Sequence, residues 1–148
     1  MKKVSANSVF ILLLLIMILV GNYYLKPVAE EPAVFISDCD LTKNKCKVSL
    51  TESELEIMIL GELKALQAFT IRIIDNNDWL EQASVDLKMK AMDMGKNRFA
   101  FVKSGNHGWK SEVVIPVCTT GRRDWLFEFE FEFIKSGVRE KVVFELTI

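Results

Sequence analysis

The chain is poor in the residues that carry most enzyme chemistry. Its 148 residues include one histidine, His107, and three cysteines, Cys39, Cys46 and Cys118. A single imidazole, with no nucleophile that the pattern sets beside a base, assembles no catalytic constellation, so the reading is of a protein that is not an enzyme. A surplus of positive charge is missing too. Lys2, Lys3 and Lys26 are the only charged side chains before Pro27, which leaves 16 basic and 20 acidic residues from there on, a net of −4. Nucleic acid and anionic surfaces attract basic patches, and none is present here. Internal repeats and low-complexity tracts are also absent, as is any long segment of convincing helical period beyond the first 26 residues.

What the N-terminus does have is an apolar run, Val9 to Val20, within a wider stretch from Val4 to Leu25 broken only by small or interfacial residues. About 20 residues at helical rise cover roughly 30 Å of hydrocarbon, so the spacing predicts one transmembrane helix within an anchor of residues 1–26. Lys2 and Lys3 favour a cytoplasmic N-terminus, and Tyr23 and Tyr24 suit the far interface. The expected location is therefore the inner membrane, single-pass, with the C-terminal part periplasmic. A cleaved signal peptide shares the positive start and apolar middle. Against it, the residues after the run are bulky or charged, with no small-x-small site. Residues 27–33 read as a proline-stiffened tether, and residues 34–148 as one domain large enough to bury a core.

In that domain alternation with period two recurs between turn residues, the pattern of an all-β antiparallel sandwich. Trp125, Phe127, Phe129, Phe131 and Phe133 share one face of a strand, with Glu128, Glu130 and Glu132 on the other. A following run sets Val142, Phe144, Leu146 and Ile148 on one face. A two-residue turn at Ser136-Gly137 would pair Phe131 with Val142, Phe129 with Phe144 and Glu132 with Lys141, at the cost of setting Glu128 against Glu145. Further strands are expected at Val34–Ser37, Lys45–Leu50, Leu55–Leu60, Ala68–Asp75, Ala83–Met89, Arg98–Val102 and Trp109–Val117. A helix over Glu52 to Leu66 competes, because Glu, Leu, Met and Lys are good helix formers.

Cys39 and Cys46 bracket a short polar loop that can bring their sulfurs together, and a structural disulfide is the leading reading in an oxidising compartment. Cys118 is then left as a buried thiol, a metal ligand, or the true partner of one of the other two. Met92 and Met94 continue β alternation on the polar phase, so they either follow a bulge into the core or project to solvent or to a pocket at the strand's end. Thioethers are soft, neutral donors suited to Cu(I), and Met92 and Met94 with His107 and Cys118 would make a soft site. The plainer readings are core-filling methionines, a solvent-facing histidine in a Gly-rich turn and an inert thiol.

The strings Val85-Asp86-Leu87, Met92-Asp93-Met94-Gly95-Lys96-Asn97-Arg98, Trp109 and Ile115 to Trp125 resemble a largely uncharacterised family of small, membrane-anchored periplasmic proteins of proteobacteria. The Cys39 and Cys46 pair also fits that pattern. The Met-x-Met-Gly stretch is similar to that of FixH-like and YtkA-like domains. These are immunoglobulin-like sandwiches associated with copper oxidase biogenesis, and the likeness implies that fold here. About twenty positions between Cys39 and Trp125 carry it. The family often has methionine where this chain has Arg123, which removes one soft ligand. Arg98, Arg122 and Asp124 recur with the motif, and a buried Arg-to-Asp pairing that holds two loops together is the structural alternative to a role in binding for them.

Two functions follow as expectations. One is a tethered accessory protein that handles Cu(I) for a membrane metalloenzyme, with Met92 and Met94 coordinating. The other is a metal-free interaction or assembly module that docks on an inner-membrane complex through an exposed sheet edge or through its helix.

Overall fold

The computed structural model describes residues 11–18, 33–43, 45–90, 92, 94–117 and 121–148. The chain divides into two compact units, Met1–Glu31 and Pro32–Ile148. In the first, the described residues form a helix over 11–18. Eight residues rise only about 12 Å, against roughly 30 Å of hydrocarbon. No helix among the described residues is long and apolar enough to cross a membrane. This corrects the expected transmembrane helix, and with it the single-pass inner-membrane location.

Among the described residues the second unit is all-β, with ten strands: β1 (Ala33–Ser37), β2 (Cys46–Ser49), β3 (Glu54–Leu60), β4 (Ala68–Asp75), β5 (Leu80–Met89), β6 (Arg98–Ala100), β7 (Val102–Lys103), β8 (Gly108–Val114), β9 (Asp124–Phe133) and β10 (Arg139–Thr147). They form two five-stranded sheets, ordered β1-β10-β9-β5-β6 and β2-β3-β4-β8-β7. Every ladder between strands is antiparallel except β1 on β10, which is parallel. The Glu52 to Leu66 region is strand β3 and loop, not helix: Leu55 and Ile57 alternate into the core while Glu54 and Glu56 face out. Alternation outweighs helix propensity here because two buried side chains stabilise more than the few tenths of a kcal/mol per residue at stake in propensity.

Packing between the layers explains why β9 alternates so strictly. Phe127, Phe129, Phe131 and Phe133 are all fully buried. The Phe127 ring lies 6.3 Å from Phe69 of the opposite sheet, and Phe129 meets Phe144 edge-on at 5.5 Å and Phe101 at 6.1 Å. Each buried Phe contributes about 1.5–3 kcal/mol of hydrophobic stabilisation. The expected strand Arg98–Val102 is split at Phe101, whose side chain is buried in the core and around which the chain passes from one sheet (β6) to the other (β7).

The terminal hairpin is present, but its register differs by two residues from a two-residue turn. Phe129 lies opposite Val142, Phe127 opposite Phe144, and Glu132 opposite Arg139. The connection is longer: Gly137, at φ +65°, donates its N–H to the Phe133 carbonyl, and Phe133 in turn donates to Val138. A shift of two keeps every side chain on its face. It also removes the like-charge contact, because Glu145 now faces Leu126 and Glu128 faces Val143. Like charges directly opposite destabilise a sheet, so the longer loop is the favoured solution. Glu128 and Glu145 instead take Lys88 at 2.5 Å and Lys90 at 3.1 Å.

Candidate functional site

Two five-stranded sheets leave four edge strands, β1, β6, β2 and β7. Edge strands carry unpaired backbone donors and acceptors, and proteins protect them by shortness, charge or irregularity. Three of these edges are protected. β6 and β7 are three and two residues long and are broken apart by Phe101. β2 carries Lys47, ion-paired to Glu54 at 3.3 Å, and is flanked by Lys45, paired to Glu56 at 3.7 Å.

β1 has none of these devices. Its sequence Ala-Val-Phe-Ile-Ser has no charge and no proline. Val34 is 60% exposed, Phe35 40% and Ile36 74%. Val34 and Ile36 lie beside Lys141 and Val143 of β10, on the outer face, and Phe35 lies beside Val142. Among the described residues the strand is thus apolar on both faces and open along one side. At its C-terminal end is a depression of about 540 Å³ lined by Ile36, Asp38, Asp40, Lys43 and Glu145 among others. Asp40 anchors the loop there. Its carboxylate accepts the Thr42 N–H at 2.9 Å and the Thr42 hydroxyl at 2.5 Å, and pairs with Lys43 at 3.0 Å. The Thr42 hydroxyl first, then Lys43, hold the Asp40 pKa down to about 2 from an ordinary 3.8.

The loop is closed covalently. Cys39 and Cys46 are joined by a disulfide, with Cα atoms 5.8 Å apart. The bond runs from the segment after β1 to β2, which belongs to the other sheet.

The residues expected to form a soft-metal site are not all neighbours. β5 ends at Met89, and the chain turns there instead of continuing extended: the Met92 N–H bonds the Met89 carbonyl at 3.3 Å. Met92 and Met94 are both half-buried and packed against the core. His107 lies exposed in the β7–β8 turn, at the other end of β5. Its carbonyl accepts the Asp75 N–H at 2.9 Å, and Asp75 in turn accepts the Leu80 N–H at 2.7 Å. From Leu80 to Met89 an extended strand spans roughly 30 Å, so the structure does not bring His107 to the methionines. Cys118 lies outside the described residues. Among the described residues no group of three or more His, Cys, Asp or Glu side chains is placed to hold a metal ion.

The arginines differ from expectation as well. Arg122 pairs bidentately with Asp124, Nε to Oδ1 at 3.0 Å and Nη2 to Oδ2 at 2.7 Å, and this bond lowers the Asp124 pKa. The two residues are neighbours in sequence and their side chains are exposed, so the pair does not clamp two distant loops. Arg98 instead pairs with Glu130 of β9 across the outer face of its sheet.

Sequence reasoning missed β1 as a site, although a signal was there. Val34-Phe35-Ile36 is an apolar run without alternation in a strand too short to be central, which is what an unprotected edge looks like. No family model matches the chain, and no curated protein matches it either. The functional argument therefore rests on the geometry.

Proposed function

We propose that this chain is an interaction or assembly module, an immunoglobulin-like sandwich that docks a polypeptide partner by strand addition at β1. The parallel seat of β1 on β10 and the two-sheet strand order support the immunoglobulin-like assignment. The observation that carries the docking reading is the contrast among the four edges, of which β1 alone is uncharged, apolar and open. Strand addition draws affinity from main-chain hydrogen bonds and specificity from alternate side chains. Val34 and Ile36 supply one apolar face for it and Phe35 the other. The test is a photo-reactive phenylalanine analogue at position 36, with the same analogue at Arg72 on the opposite sheet as control. A discrete protein adduct is expected at 36 and not at 72. Absence of an adduct, or the same adducts at both positions, would reject the reading.

A second reading has one observation in its favour. At the corner where β5 ends, the Met92 N–H bonds the Met89 carbonyl, and the half-buried Met92 and Met94 offer two neutral thioethers, a donor type that Cu(I) accepts. We propose on this reading that the corner handles Cu(I) for a partner metalloenzyme, with transfer by ligand exchange. Cu(I) titration against a chromogenic competitor tests it. Met92→Ser with Met94→Ser is expected to abolish competition, and unchanged affinity in the double variant discards it.

A further inference from the structure

β1 owes little to packing. Val34, Phe35, Ile36 and Ser37 all lie outside the buried core, and among the described residues the strand's one ladder is the five-residue parallel register on β10. Parallel ladders are slightly less stable per residue than antiparallel ones, and hydrogen bonds at a sheet edge are open to water. Beyond Ser37, Leu41 and Cys39 tie the described chain to the rest of the domain. Leu41 is buried, but it lies four residues past the strand and pins the loop instead of the ladder. Cys39 lies two residues past the strand and is bonded to Cys46, which is fully buried in β2 of the opposite sheet.

We propose that the Cys39–Cys46 bond is a redox clamp on this edge: reduction by a dithiol releases β1 from β10, so that the docking strand exists only in the oxidised protein. The functional sense of the clamp rests on the docking reading above; its mechanics do not. Cys39 is half-buried while Cys46 is inaccessible, so the entering thiolate attacks the Cys39 sulfur. The S–S bond breaks as a mixed disulfide forms, and the Cys46 sulfur leaves as a thiolate and takes a proton. The second thiol of the reductant then displaces Cys39. The products are two protein thiols and one oxidised dithiol, a two-electron exchange. With its covalent tie gone, the segment 38–45 no longer fixes the end of β1, and β10 becomes the sheet edge.

Amide hydrogen exchange by mass spectrometry on the full chain tests this, comparing oxidised protein with protein reduced by dithiothreitol and shown by alkylation to have lost the bond. Reduction is expected to cut protection about tenfold or more in 33–37 and in 140–144, with β3, β4 and β9 unchanged. Cys39→Ser, which leaves the buried Cys46 side chain in place, is expected to reproduce the pattern without reductant. Unchanged protection of 33–37 after complete reduction would overturn the proposal. So would an equal loss in every strand, which would make the bond a general staple. No partner is present in this assay, so its failure and the failure of the docking reading are distinguishable.

Discussion

Glu140, on β10 of one sheet, is only 1% exposed, and its carboxylate accepts the Thr51 N–H at 3.1 Å together with the Thr51 hydroxyl, from the turn between β2 and β3 of the other sheet. A buried carboxylate is expensive unless its oxygens are satisfied. This contact therefore joins the two layers close to the edge that β1 occupies. Thr51→Val keeps the backbone donor and removes the hydroxyl. It is expected to destabilise the domain by about 1.5–3 kcal/mol, the usual worth of a hydrogen bond to a charged group. Urea unfolding with an unchanged m-value is the measurement, and a loss under about 0.5 kcal/mol would show the hydroxyl to be dispensable.

Asp75 performs the same service at the end of β4. It is fully buried and accepts from Ser53 Oγ at 2.7 Å, the Asn77 N–H at 3.1 Å and the Leu80 N–H at 2.7 Å. Asp75→Ala leaves these donors without their acceptor and is expected to cost on the order of 3 kcal/mol or more. Thermal and urea unfolding check it, and near-wild-type stability would contradict the assignment.

Asp40 is open to a direct test by acid titration. Its folded pKa, about 2, lies below the ordinary 3.8, so the stabilisation it contributes is present above 3.8 and is lost as pH falls through about 2. NMR titration of the side-chain carboxyl is expected to show a midpoint near 2. Thr42→Val is expected to move that midpoint up towards the ordinary value, because the Thr42 hydroxyl is the largest cause.

Ile36→Lys is the complementary variant. The side chain is exposed, so the substitution is expected to change stability by no more than about 0.5 kcal/mol. A charge on the edge is nevertheless the device that blocks strand addition. The adduct formed by a photo-reactive residue at Val34 is expected to disappear in this variant while unfolding by urea stays unchanged.

How far the sequence reached varied with the range of the interaction. β4 was legible to the residue, because Phe69, Ile71 and Ile73 alternate against Thr70 and Arg72 between turn residues. The aromatic face of β9 was equally legible. The hairpin register was not: a slip of two residues preserves both faces, and only the charges decide between the alternatives. The Glu128–Glu145 conflict was visible and pointed the right way. The disulfide followed from a short loop in one stretch of chain. The distance between His107 and Met92 did not, because it depends on which end of β5 each turn meets, a relation across the sheet that spacing does not encode.

The docking claim for β1 is tested most directly by NMR amide exchange on the full oxidised chain with and without a soluble synthetic peptide carrying Ala-Val-Phe-Ile-Ser between flanking lysines. An uncharged edge has no repulsion to set against a copy of itself, which makes this peptide a suitable extended probe. The account predicts that the peptide slows exchange of amides within 33–37, leaves β2, β6 and β7 unaffected, and has no effect on Ile36→Lys. Exchange that is unchanged along β1, or slowed equally in the Ile36→Lys variant, would contradict it.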